Sequence, residues 1–150
     1  KIVLVSSQDI IEKKLINSVK DIASKRPEYY FIFKQRHASQ TYIQGENIMV
    51  DKKYSIYDFL NLIDCNLSCF STNVLESLSS KTIGVLMDYD NLASQYFGQI
   101  EKDCDGVFIC QNNRDAIQAL DNELKFKSYS VFYKHNNKKN VAQFLNTFFE

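Results

Sequence analysis

An apolar run ends at Phe70, and Ser71-Thr72-Asn73-Val74-Leu75-Glu76 follows at the start of a helical pattern. The first turn of a helix carries free N–H groups and a partial positive charge, so Ser71, Thr72 and Asn73 there can add donors to a bound phosphate. Glu76 lies about one turn further on, where a carboxylate can accept bonds from the two hydroxyls of a ribose. The same residues equally suit an ordinary N-cap that binds nothing. A second cluster, Lys34-Gln35-Arg36-His37, follows the buried-looking run that ends at Phe33. Lys and Arg suit phosphate oxygens, and His can donate a hydrogen bond or a proton. A solvated basic loop would read the same way. A third, Asp88-Tyr89-Asp90-Asn91, follows another apolar run. Its carboxylates can hold sugar hydroxyls, with Tyr89 beside them, or can simply begin the next helix.

Elements that alternate along the chain must bring these loops together. Ile2 to Val5 reads as a strand covered on both faces, with Ser6, Ser7, Gln8 and Asp9 as the loop behind it. Ile11, Leu15, Val19 and Ile22 form one helical face, which Pro27 ends. Further strands are expected at Tyr29 to Phe33, Asn47 to Val50, Cys65 to Phe70, Thr82 to Met87 and Gly106 to Cys110. Helices are expected at Ser55 to Ile63, Thr72 to Ser80, residues 91–101, and Asn113 to Leu124, the last capped by Asn112 or Asn113. The aromatic stretch at 126–134 has no clear assignment, and a last helix is expected from about Lys138. Six short apolar strands, mostly alternating with helices, predict a three-layer α/β/α domain. Its core would be a doubly wound, mostly parallel, six-stranded Rossmann-like sheet over residues 1–150. Right-handed crossovers put every strand's C-terminal end on one edge, and ligands of such sheets bind there, where strand order reverses. The loops at 6–9, 34–46, 71–73 and 88–91 all fall on that edge. Ser7 therefore joins Asp88, Tyr89 and Asp90 as a candidate sugar contact.

Composition narrows the function. Lysines and arginines number 18, as do the acidic residues, so no net field steers the chain to nucleic acid or to an anionic membrane. No apolar run approaches the ~20 residues of a membrane span. The four cysteines, Cys65, Cys69, Cys104 and Cys110, include no Cys-x-x-Cys pair, and neither His37 nor His135 completes a zinc spacing. They read as buried thiols of a reducing cytoplasm. With only four glycines there is neither a G-x-G-x-x-G nor a Walker-type loop, which disfavours nicotinamide dehydrogenases and P-loop enzymes. A receiver-type signalling domain is disfavoured too, because Ser6, Ser7 and Gln8 stand where its acidic cluster would be.

Taken together, these loops resemble the C-terminal domain of GT-B glycosyltransferases. The likeness runs through Tyr57 to Asp64, Cys65 to Phe70, Ser71-Thr-Asn-Val-Leu-Glu76 and Lys81-Thr-Ile-Gly-Val-Leu86. Phe33-Lys-Gln-Arg-His37 is similar to the Lys-x-His-Pro signature of capsule-polymer, bacterial sialyl and glycerophosphate transferases. The resemblance implies a donor-binding domain that transfers a sugar or polyol-phosphate from a nucleotide-activated donor to a glycan or glycolipid hydroxyl in bacterial surface polysaccharide synthesis. His37 would be catalytic. Lys34, Arg36, Ser71, Thr72 and Asn73 would bind the donor phosphate, and Glu76 the ribose. No cofactor and no metal would be needed. The opening Lys-Ile-Val-Leu-Val reads as a boundary set just before a strand. The chain would then be the C-terminal half of a longer two-domain protein, inactive without its N-terminal domain. It would be cytoplasmic, at most peripheral on the inner face of the membrane. UDP-N-acetylglucosamine 2-epimerases share the layout, but their His-Arg-Arg-Glu-Asn segment is replaced here by Ser6-Ser-Gln-Asp-Ile10. A non-catalytic phosphate-binding or interaction module is the remaining alternative.

Overall fold

The computed structural model describes residues 1–35, 42–78 and 80–122. Its strands are β1 (Ile2–Ser6), β2 (Tyr30–Lys34), β3 (Ile48–Asp51), β4 (Cys65–Ser68), β5 (Ile83–Met87) and β6 (Val107–Cys110). Its helices are α1 (Glu12–Lys25), α2 (Asn73–Leu78), α3 (Leu92–Asp103) and α4 (Asn113–Asp121). The sheet order is β3-β2-β1-β4-β5-β6, and every strand pair is parallel. This is the Rossmann-like order, with the reversal between β1 and β4. The sheet is thus wholly, not mostly, parallel among the described residues.

Period-two alternation sorts the strands' side chains onto two faces. Val3, Val5, Phe31, Phe33, Leu67, Val85 and Met87 pack on one side, against Leu15, Val19 and Ile22 of α1 and Ala116, Ala119 and Leu120 of α4. On the other side Leu86 meets Val74 and Leu78 of α2 and Ala93 and Phe97 of α3. Leu4 and Ile32 are covered there by Phe59 and Ile63. Apolar residues fill both faces, as a parallel sheet buried between helices requires.

Helix ends follow local chemistry. Asn112 caps α4, its side-chain oxygen accepting from the N–H groups of Arg114 and Asp115 at 2.9 and 3.0 Å. Beyond α1, Asn47 Nδ2 donates to the carbonyls of Ala23, Arg26 and Tyr29, tying the turn through Pro27 to β3. One expected helix is absent. Ser55 to Ile63 forms a single 3-10 turn, Ile56–Asp58, closed by a capping box between Ser55 and Asp58. Phe59 and Ile63 do face inward as the pattern required, but Leu62 is 64% exposed. Only Phe59 and Ile63 of these nine residues are buried, too small an anchored face to stabilise a helix by packing. The carboxylate of Asp64 also accepts from the N–H of Ile2 at 2.7 Å, which fixes the chain on β1 before a second turn can form.

The expected strand at Cys65 to Phe70 ends at Ser68, and the third helix runs on to Asp103. The expectations for 126–134 and from Lys138 onward lie outside the described residues. No described helix is long and apolar enough to cross a membrane. All four cysteines are free, and burial pushes the thiols of Cys65 and Cys110 up to about 12, far from reactive.

Candidate functional site

At the C-terminal edge of the sheet, the divergence of the β1 and β4 loops leaves a cleft of about 660 Å³. The loop after β1 contributes Ser6, Ser7 and Asp9, and the end of β2 contributes Lys34 and Gln35. Lys52, Lys53, Tyr54, Ser55 and Ile56 form the wall after β3, and Ser71 and Asn73 the wall after β4. Four residues singled out by sequence, Ser7, Lys34, Ser71 and Asn73, therefore meet at one place. Thr72 is exposed beside them, and Glu76 is half-buried one turn into α2, its N–H donating to the carbonyl of Thr72 at 3.2 Å. Arg36 and His37 follow Gln35 in the chain and lie outside the described residues.

A polar seam beneath this cleft was not anticipated. Ser6, Asn66 and Ser68 are 3%, 0% and 0% exposed on the two central strands, where apolar side chains are the rule. Buried polar groups persist only when satisfied. Ser6 Oγ donates to Asn66 Oδ1 at 3.2 Å, and Ser68 Oγ donates to the carbonyl of Ser6 at 2.8 Å. Asn66 Nδ2 donates to the carbonyl of Asn73 at 3.1 Å. The seam stitches β1 to β4 and fastens the start of α2 to the sheet, so both walls of the crevice share one support. Its sequence signal is the alternation Cys65-Asn66-Leu67-Ser68, polar at every second position. Asn66→Leu is expected to cost about 2 kcal/mol in urea unfolding, because it strips partners from the buried Ser6 hydroxyl and from the half-buried carbonyl of Asn73. A loss under about 0.5 kcal/mol would mean that the seam supports nothing.

Lys34 is closed in. Its ammonium donates to the Asp51 carboxylate and to the carbonyl of Tyr54, and it lies 5.7 Å from the centre of the Phe59 ring. Only 13% of the Lys34 side chain and 8% of the Asp51 side chain are exposed. Burial alone would raise the Asp51 carboxyl, but the Lys34 ammonium and the N–H groups of Lys53 and Tyr54 hold it below the usual carboxylate range. Ser7 Oγ donates to Glu12 Oε1 at 2.9 Å, which braces the β1 loop on the first turn of α1.

The third cluster makes bonds within the scaffold. Asp88 accepts from Ser94 N at 3.0 Å, from Ser94 Oγ and from Gln111 Nε2 at 2.9 Å. Burial would raise its carboxyl, but these donors hold it below the usual range. Tyr89 donates to Ser18 Oγ at 2.7 Å, and Asp90 pairs with Lys14 at 2.6 Å. Asp90 and Asn91 sit in the left-handed region at φ 55° and 60°, which Asp and Asn tolerate better than other side chains. None of the three lines the cleft. A second cleft of about 570 Å³, lined by Lys20, Ser24, Gln44 and Glu46 among others, lies at the opposite edge of the sheet. No group of three or more His, Cys, Asp or Glu side chains among the described residues is placed to hold a metal.

No family model matches the chain, and no curated protein matches it in sequence. Among solved structures it is similar to the crystal structure of the glycotransferase of kitacinnamycin, with a TM-score of 0.63 at 13% identity. The match covers 80% of this chain and 33% of that one, so the chain spans about a third of that protein's length. At this identity the likeness is one of fold.

Proposed function

We propose that the chain is the donor-binding domain of a GT-B-type glycosyltransferase, and that the cleft at the β1/β4 crevice receives the nucleotide-activated donor. The observation that carries this reading is the convergence of Ser7, Lys34, Ser71 and Asn73 on one cleft at the point where strand order reverses. The fold shared with a glycotransferase supports it. In this reading the donor's phosphate meets Ser71, Thr72 and Asn73, and Arg36 and His37 take the role in binding it that the resemblance implies. Glu76 takes the ribose, and Ser7 faces the sugar. Departure of the nucleotide leaves negative charge on its phosphate, which such donors stabilise more in the transition state than in the ground state. A protonated His37 would also hand the leaving phosphate a proton. The acceptor, a glycan or glycolipid hydroxyl, and the base that activates it would be met by a further domain, so this chain alone binds donor and turns nothing over.

The test is a thermal-shift series with CMP, CDP, UDP, GDP and ADP on the chain and on its His37→Ala and Glu76→Ala variants. One nucleotide is expected to raise Tm, and each substitution to remove most of the rise. At a ligand concentration 100 times Kd the stabilisation is about 2.7 kcal/mol. Absence of any shift with all five would favour a module that recognises a partner rather than a nucleotide.

A further inference from the structure

The three lysines that line the cleft are not equivalent. Lys34 is committed to Asp51, to the carbonyl of Tyr54 and to the face of Phe59. Asp51 in turn accepts from the N–H groups of Lys53 at 3.3 Å and Tyr54 at 3.2 Å. The ion pair therefore folds residues 52–55 back over the end of β3, as the cleft's outer wall. Lys52 and Lys53 are exposed on that wall, and neither makes an ion pair among the described residues. The Lys53 ammonium lies 4.9 Å from the centre of the Tyr54 ring, a contact weak enough at an exposed site to be given up for a ligand. Asp9 is the only acidic side chain among the lining residues, and with Lys34 balanced by Asp51 the cations free to meet an anion on this wall are Lys52 and Lys53.

We propose that Lys52 and Lys53 take the ligand's phosphate or diphosphate group from the cleft's outer wall, and that Lys34 does not meet the anion but serves as the counter-charge of Asp51, whose carboxyl oxygens accept from the N–H groups of Lys53 and Tyr54 and so hold the turn. A committed ammonium must break two strong bonds to meet an anion, whereas the two exposed ones lose solvent and, for Lys53, one weak ring contact. The inference deepens the donor-site reading and rests on it for the anion's identity, but not for the presence of an anion site.

Calorimetric titration with inorganic pyrophosphate, and with the five nucleotides in parallel, tests it at low ionic strength. Wild-type chain is expected to bind pyrophosphate, and added salt to weaken that binding. Lys52→Gln/Lys53→Gln, both at exposed positions, should keep the wild-type Tm and weaken pyrophosphate about tenfold or more. Lys34→Met/Asp51→Asn removes the buried charges while leaving an oxygen for the N–H groups of Lys53 and Tyr54. It should stay folded and bind pyrophosphate within about threefold of wild type. The proposal is overturned if wild type binds no pyrophosphate, or if the Lys52/Lys53 variant binds as wild type does. It is equally overturned if the folded Lys34/Asp51 variant loses about tenfold, for then Lys34 meets the anion itself. Pyrophosphate binding with the expected dependences, but no advantage for any nucleotide, would uphold this inference and sink the donor-site reading instead.

Discussion

Gly84→Ala is expected to lower the stability of the domain by about 3 kcal/mol, a loss that urea unfolding would read. Gly84 lies in β5 on the face covered by α2, at the one position of that strand with no side chain to bury. A Cβ there would stand 2.3 Å from Val74 Cγ1, well inside contact distance. Val74 is fully buried, so its methyl has nowhere to turn. The missing side chain lets the first turn of α2 sit down on the sheet, and that turn follows directly on Ser71 and Thr72. Adding Val74→Ala to Gly84→Ala removes the clashing methyl and should return a good part of the loss. A single-variant loss below about 1 kcal/mol would mean that α2 does not approach β5 this closely.

Asp51→Ala is expected to cost about 3 kcal/mol at neutral pH, because it leaves the Lys34 ammonium largely buried with no counter-charge and frees two backbone N–H groups. The pH dependence follows from the sign of the shift. Lys34 and the backbone donors outweigh burial and hold the folded Asp51 carboxyl below its ordinary value of about 3.9. A group depressed in this way contributes stability that is present above the unfolded pKa and lost as pH falls through the folded one. The gap between wild type and Asp51→Ala should therefore be full at pH 7 and should shrink below about pH 4. Unfolding curves for the two proteins across that range check it. A gap that held its size in acid would mean that Asp51 works by packing rather than by charge.

The architecture was legible because its signals are local and repeated. Five of the six strands both begin and end within a residue of where the apolar runs place them. Ile11, Leu15, Val19 and Ile22 mark the buried face of α1 and the turn before it, and Asn112 announces α4. The stretch at 55–63 misled because Ile56, Phe59, Leu60 and Ile63 recur at helical spacing. A chain that bends over one patch of sheet can meet that spacing without completing a helix. The site was legible only where a strand end meets a polar loop. Ser71, Asn73, Ser7 and Lys34 could be drawn to one edge by topology alone. The partner of Lys34 could not, since Asp51 is 17 residues away and becomes its neighbour only when β3 pairs with β2. Lys52 and Lys53 escaped notice for the same reason: a lysine pair after a strand looks like solvated surface until the fold curls it over a crevice.

The most direct test of the central claim is to follow the backbone amide resonances of the chain as UDP, CDP or another of the five nucleotides is added. The account predicts shifts concentrated at Ser6 to Asp9, Lys52 to Ser55 and Ser71 to Asn73, the three walls of the β1/β4 cleft, with the far edge of the sheet unmoved. Shifts confined to the second cleft, around Lys20, Ser24 and Gln44, or no shifts with any nucleotide, would contradict it.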